Sequence, residues 1–170
     1  RLAAALTSDA NDLTLPEFAR LVDAFYLGGT KNGTLFGEAL VITRPELTHD
    51  FFRMKKRMGA VMEKGWLQGV QFEAILKDNL YFDMARHANV LAGRLQEGVK
   101  ALGLPLMTES CTNQIFPIVK NELRPRLEQV CAFEDWCPFD AEHTVIRFVT
   151  CFHTTQEDVD ALLSELKKLL

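Results

Sequence analysis

Long hydrophobic runs are missing from this chain. No stretch of its 170 residues approaches the roughly 18–20 consecutive apolar residues that cross a bilayer. An excess of positive charge is missing too: 19 Lys and Arg stand against 23 Asp and Glu, a formal charge of −4. That balance leaves no electrostatic footprint for nucleic acid or an anionic membrane surface. The opening residues lack the basic-then-apolar pattern of a signal peptide, and the reading places the protein in the cytoplasm. Cysteine is scarce. The four residues, at 111, 131, 137 and 151, form no C-x-x-C pair, so they read as reduced thiols rather than a zinc site or a disulfide framework. The histidines at 49, 87, 143 and 153 have neither H-x-x-x-H nor H-E-x-x-H spacing, and no metal is expected.

What is present is ordinary globular composition, 48% hydrophobic and 25% charged, in a length that supports a real core. Thr14-Leu15-Pro16-Glu17 is a capping box with proline in the first turn, and predicts a helix to about Asp23. Phe25-Tyr26-Leu27 reads as a short buried strand broken by Gly28-Gly29, and residues 35–42 as a second strand. Phe51, Met54, Met58, Val61 and Met62 mark one face of a long helix over 46–64, with the methionines assigned to the core. A clearer stripe runs through Tyr81, Met84, Ala88, Leu91, Leu95, Val99 and Leu102 and stops at Gly103 and Pro105. Strands are predicted at 106–108, 114–119 and 145–151, with a short helix at 125–130 between the last two. A second capping box at Thr154–Glu157 opens a last helix with Val159, Leu162, Leu163, Leu166 and Leu170 inward. The alternation favours a layered α/β or α+β arrangement.

Three places carry candidate chemistry. Lys31 follows the first strand, with Gly28, Gly29 and Gly33 leaving room for a ligand to approach the backbone. Desolvation there favours a neutral amine of the kind a carbonyl cofactor requires, whereas a plain surface turn leaves the lysine solvated. The segment fits a phosphate-cradling G-K-[ST] loop poorly, since Thr30 precedes the lysine and Asn32 follows it. Arg147 shares a strand face with His143, Val145 and Val149, opposite Ile146 and Phe148. Its guanidinium suits either a substrate carboxylate or a neighbouring Glu. Arg1, ahead of Leu2-Ala3-Ala4-Ala5-Leu6, reads on its own as a surface charge.

Tyr26 to Gly33, followed by Phe36-Gly37-Glu38-Ala39-Leu40-Val41, resembles the cofactor-lysine region of the threonine aldolase and aromatic amino acid beta-eliminating lyase family. The likeness continues through Lys55 to Gly59, Leu67 to Phe72, Arg147 to Thr150 and the run ending at Val159, and so spans nearly the whole chain. It implies an α/β class: the C-terminal part of a fold-type I pyridoxal-phosphate-dependent transferase, comprising the end of the large domain and a small α+β C-terminal domain. Residues 1–48 then close the large domain, 49–80 form a connecting helix and 81–170 the small domain. Lys31 is implied as the lysine that carries pyridoxal 5′-phosphate, with Thr30 beside the cofactor. Arg147 is implied as the grip on the substrate α-carboxylate, with Arg1 assisting it. The family's Asp-Gly-Ala preceding such an Arg-Leu, its phosphate loop and its ring-stacking residue have no counterpart in these residues, so a chain lacking the N-terminal half is expected. The implied activity is retro-aldol cleavage of a β-hydroxy amino acid to glycine and an aldehyde. The implied partner is a small-molecule amino-acid substrate, and the implied assembly a homodimer or homotetramer. β-Elimination or transamination on the same fold remain alternatives, as does a noncatalytic interaction or oligomerisation module for these residues alone.

Overall fold

The computed structural model describes residues 1–170, and the chain divides into two units, Arg1–Met84 and Ala85–Leu170. The first contains α1 (Leu2–Leu6), α2 (Leu15–Leu21), β1 (Ala24–Gly28), β2 (Glu38–Ile42), α3 (Phe51–Arg57) and α4 (Trp66–Leu76). The capping box at the start of α2 is formed as the sequence implies. The Thr14 backbone N–H donates to the Glu17 carboxylate at 2.8 Å, and the Thr14 hydroxyl accepts from the Glu17 backbone N–H at 3.4 Å. The Thr14 hydroxyl also donates to the Glu17 carboxylate at 2.6 Å, and that bond first and the Thr14 backbone N–H second hold the exposed Glu17 carboxyl below its ordinary range. The helix ends two residues early, because Val22 already has the extended backbone (φ −131°, ψ 153°) that leads into the strand.

β1 and β2 pair antiparallel, from Ala24 opposite Ile42 to Gly28 opposite Glu38. Residues 29–37 are therefore a loop, not the start of the second strand. The first strand is also less buried than its apolar sequence suggests: only Leu27 is fully covered. The long helix expected over 46–64 is reduced to the seven residues of α3, followed by Gly59 at φ +69°. Met54, Met58 and Met62 are 59%, 83% and 57% exposed, which corrects their assignment to the core. Only Met54 lies within α3; Met58 follows its last residue and Met62 is outside any helix, so the periodicity overstated the helix and did not say what would cover it. The stretch 49–80 is likewise not a single helix, since α3 and α4 are separate and a 3-10 turn at Lys77–Asn79 follows them.

α5 (Leu80–Ala101) starts in the first unit and provides the long helix of the second. Tyr81, Ala88, Leu91, Leu95 and Val99 of the predicted stripe are buried. Gly103, at φ +82°, closes the helix by donating to the Lys100 carbonyl at 2.9 Å, while Leu104 N–H reaches the Val99 carbonyl at 3.2 Å. Beyond it lie β3 (Gln114–Ile115), β4 (Ile118–Lys120), α6 (Arg124–Leu127), β5 (Glu134–Pro138), β6 (His143–Val149) and α7 (Gln156–Leu169). β6 is central. β3 and β4 run antiparallel along one side, Gln114 opposite Val149 and Ile118 opposite Val145, and β5 runs antiparallel along the other. The single strand read at 114–119 is split because Pro117 has no N–H to give, although its carbonyl still accepts from Ile146 at 2.9 Å. The strand expected at 106–108 is only a bridge, Leu106 to Pro117. β5 was not foreseen.

The core of this unit is one layer of helix on sheet. Leu91, Leu95 and Val99 of α5 and Val159 and Leu166 of α7 meet Ile115, Val119, Ile146 and Phe148. Each such fully buried aliphatic side chain contributes about 1.5–3 kcal/mol before entropy is counted. The cap of α7 lies one residue later than read: Thr155 Oγ1 accepts from Asp158 N–H at 3.1 Å, and Asp158 accepts from Thr155 N–H at 2.8 Å. Leu170 lies past the helix and is exposed rather than inward.

Candidate active site

Lys31 lies at the middle of a tight turn that leaves the end of β1. Asn32 N–H and Thr34 N–H both donate to the Gly29 carbonyl, at 2.8 and 3.1 Å. Two further bonds pin the turn to the first residues of α5. The Asn32 side-chain amide donates to the Tyr81 carbonyl at 2.6 Å, and the Tyr81 hydroxyl donates to the Gly28 carbonyl at 3.0 Å. Tyr81 is fully buried, and its phenol is pushed up to about 12, by desolvation first and by the Glu38 carboxylate second. The backbone around Lys31 is thus anchored on both sides, while Lys31 and Thr30 themselves are exposed.

The glycines serve a different purpose from the one their spacing suggests. A Cβ on Gly29 would lie 2.3 Å from Thr34 Oγ1, 2.7 Å from the Gly37 carbonyl oxygen and 2.9 Å from Phe72 Cζ. One on Gly33, whose φ is +102°, would lie 2.8 Å from Met84 Cε. Their bareness lets the loop pack against its own unit, so the expectation that they leave room for a ligand is corrected at both positions. The Thr34 hydroxyl is buried there without a hydrogen-bond partner. Nor is Lys31 desolvated: these residues leave its side chain in solvent.

Arg1 is brought beside this turn. It caps α1, and its backbone nitrogen lies 3.4 Å from where a Cβ on Gly28 would stand, with the Glu38 carboxylate at 3.9 Å from the same point.

Arg147 belongs to the second unit, on β6. Ile146 and Phe148 face the core, so the alternation places Arg147 on the opposite face as expected. Its side chain is only 17% exposed, and both terminal nitrogens of the guanidinium are engaged. Nη1 donates to Gln114 Oε1 at 2.9 Å, and Nη2 pairs with the carboxylate of Glu134, its register partner on β5. The Trp136 ring lies 5.1 Å from Arg147 Cζ and 5.2 Å from the Phe116 ring. Trp136 reaches this place because it is the extra residue of a bulge, between Asp135 opposite Ile146 and Cys137 opposite Val145. Arg147 Nε is buried without a partner. Glu134 and Trp136 were missed from the sequence because their strand was missed; Gln114 lies on a strand that was foreseen, but its pairing beside Arg147 was not. The cross-strand position of Glu134 becomes readable only once β5 is recognised.

A separate cavity of about 580 Å³ in the second unit is lined by Lys120, Leu123, Arg126 and His143, among others, and none of Arg1, Thr30, Lys31 or Arg147 borders it. His143 is taken by Asp140, whose carboxylate accepts from its ring at 2.9 Å.

No family model matches the chain. The chain is 33% identical over 96 residues to the low specificity L-threonine aldolase of Pseudomonas aeruginosa, a match covering 56% of this chain and 28% of that protein. The solved Leishmania major threonine aldolase superposes over 99% of this chain with a TM-score of 0.95 and 40% identity. The chain is similar to threonine aldolases. It spans about half the length of the Leishmania threonine aldolase chain, 49%, and a smaller share of its curated relatives. Sphingomonas wittichii serine palmitoyltransferase, at 18% identity, superposes with a TM-score of 0.59 over 81% of this chain and 36% of its own, which shows the fold alone. That fold is the one the sequence resemblance implies, the α/β fold of the fold-type I pyridoxal-phosphate enzymes, here over part of their length. No helix of this chain is long and apolar enough to cross a membrane.

Proposed function

We propose that this chain carries part of the machinery of a pyridoxal-phosphate-dependent carbon–carbon lyase, acting on a β-hydroxy amino acid such as threonine to give glycine and an aldehyde. The observation that carries the reading is the 40% identity to Leishmania major threonine aldolase over 99% of the chain. The residues present fit the attachment point of such a cofactor. Its aldehyde requires an accessible primary amine on a fixed backbone, and Lys31 is exposed, without an ion pair, on a turn held at Gly28 and Asn32. When bound, pyridoxal phosphate supplies an electron sink for the carbanion left by bond cleavage.

The roles of the chain's own groups follow from their chemistry. Lys31 would hold the cofactor through its primary amine Nζ. Thr30 and the backbone of the turn line the attachment point. Arg147 binds the substrate α-carboxylate through the parallel donors of its guanidinium and so orients the substrate; which bond is broken depends on that orientation. Arg1 assists carboxylate binding from the start of α1. Residues 1–48 are proposed as the end of the cofactor-binding large domain, 49–80 as the connection and 81–170 as the small domain. The assembly is proposed to be a homodimer or homotetramer. Four free cysteines accord with a cytoplasmic setting.

Borohydride reduction of the protein carrying this chain, in the presence of pyridoxal phosphate, followed by peptide mapping, tests the reading. The cofactor is expected on Lys31, and exclusive modification of another lysine overturns the assignment.

A further inference from the structure

A guanidinium assigned to a substrate carboxylate is already occupied here by a carboxylate of its own sheet. Glu134 and Arg147 stand directly opposite each other on β5 and β6, so their side chains share one face and meet without distortion of either strand. The two ends of the pair are unequal. The Arg147 side chain is 17% exposed, but that of Glu134 is 66% exposed, so the carboxylate stays largely solvated and can swing away while the guanidinium stays in place. Two neighbours keep the guanidinium in place. Gln114 holds Nη1 from β3 and the Trp136 ring covers the planar face.

We propose that Glu134 is a resident competitor for Arg147, occupying the guanidinium until an amino-acid carboxylate displaces it, and that this exchange sets the affinity for the substrate carboxylate. The inference rests on the assignment of Arg147 made above. It gives Glu134 a role that a merely structural ion pair lacks: removing its charge strengthens ligand binding instead of weakening it. Glu134→Gln keeps an oxygen that accepts from Arg147, and with it the strand pairing, but cannot match the attraction of an incoming carboxylate for the cation. Because the Glu134 end of the pair is largely solvated, its hold on the guanidinium is weak and the gain is modest, about 3- to 10-fold.

The bulged Trp136 supplies the readout. These residues hold two tryptophans, Trp66 and Trp136, so the emission change that Trp136→Phe abolishes and Trp66→Phe keeps reports on what happens at Arg147. In the Trp66→Phe background, with pyridoxal phosphate bound, L-threonine and L-threoninol are titrated against Trp136 emission; the second ligand lacks only the carboxylate. Glu134→Gln is expected to tighten L-threonine about 3- to 10-fold and to leave L-threoninol unchanged, while Arg147→Gln weakens L-threonine in both backgrounds. If Arg147→Gln leaves L-threonine affinity untouched, the assignment of Arg147 fails and this inference with it. If Arg147→Gln weakens binding but Glu134→Gln fails to tighten it, or tightens both ligands alike, the competitor role alone is overturned.

Discussion

Removing one oxygen from Tyr81 probes the anchoring of the Lys31 turn most directly. The hydroxyl of this fully buried residue donates to the Gly28 carbonyl at 3.0 Å, immediately before the glycine that starts the turn. Tyr81→Phe leaves that carbonyl without its donor in a closed environment, at a cost of about 1–3 kcal/mol. The phenol gives a second, independent signature. Its pKa is raised from 10.0 to about 12, chiefly by desolvation and then by Glu38. A proton held more tightly in the folded state stabilises that state, fully below the unfolded value near 10 and progressively less as pH rises towards 12, by about 3 kcal/mol in all. Tyr26 is the only other tyrosine, so the difference in phenolate absorbance between the native protein and Tyr81→Phe isolates Tyr81. That difference is expected to develop near pH 12, and the stability advantage over Tyr81→Phe is expected to shrink between pH 10 and 12. Ionisation of Tyr81 near 10, with a stability difference that stays flat with pH, would refute both the burial and the hydrogen bond.

Gly29→Ala is expected to destabilise the first unit by about 2–4 kcal/mol in urea unfolding, because its new Cβ meets the Thr34 hydroxyl, the Gly37 carbonyl oxygen and the Phe72 ring inside van der Waals contact. Thr34→Ala in the same background relieves the closest of these contacts and is expected to recover part of the loss. At the other end of the chain, the Asp140 carboxyl is held below its ordinary value, by the Glu142 backbone N–H first and His143 next. Its contribution is therefore present above about pH 4 and lost as pH falls through the lowered value. Carboxyl titration by NMR checks the direction, and Asp140→Asn is expected to flatten the acid limb of the stability curve.

Local chemistry that repeats or caps was readable from the sequence. The Thr14 box, the α5 stripe with its Gly103 stop, and the inward placement of Ile146 and Phe148 all depend on a residue's own neighbours along the chain. What depended on distant partners was not readable. Met54, Met58 and Met62 have helical spacing but no cover, and Gly29 and Gly33 are bare for the sake of Thr34, Phe72 and Met84. The break of the strand at 114–119 is different in kind, since Pro117 and its missing N–H lie within the run itself. The site divides the same way. Lys31 and Arg147 stand out by residue type and motif, whereas Gln114, Glu134 and Tyr81 acquire their parts only through partners 33, 13 and 53 residues away.

β5 has a free long side, since β6 is its only pairing partner. An open row of backbone donors and acceptors invites a strand from another molecule, and this one is defended by Glu134 and Asp135, by the twist of the bulge at Trp136 and by Pro138. Glu134 therefore also belongs to the chain's protection against self-association. A variant selected for tighter substrate binding through loss of that charge would sacrifice solubility at the same position, so ligand affinity and colloidal behaviour are tied to a single side chain.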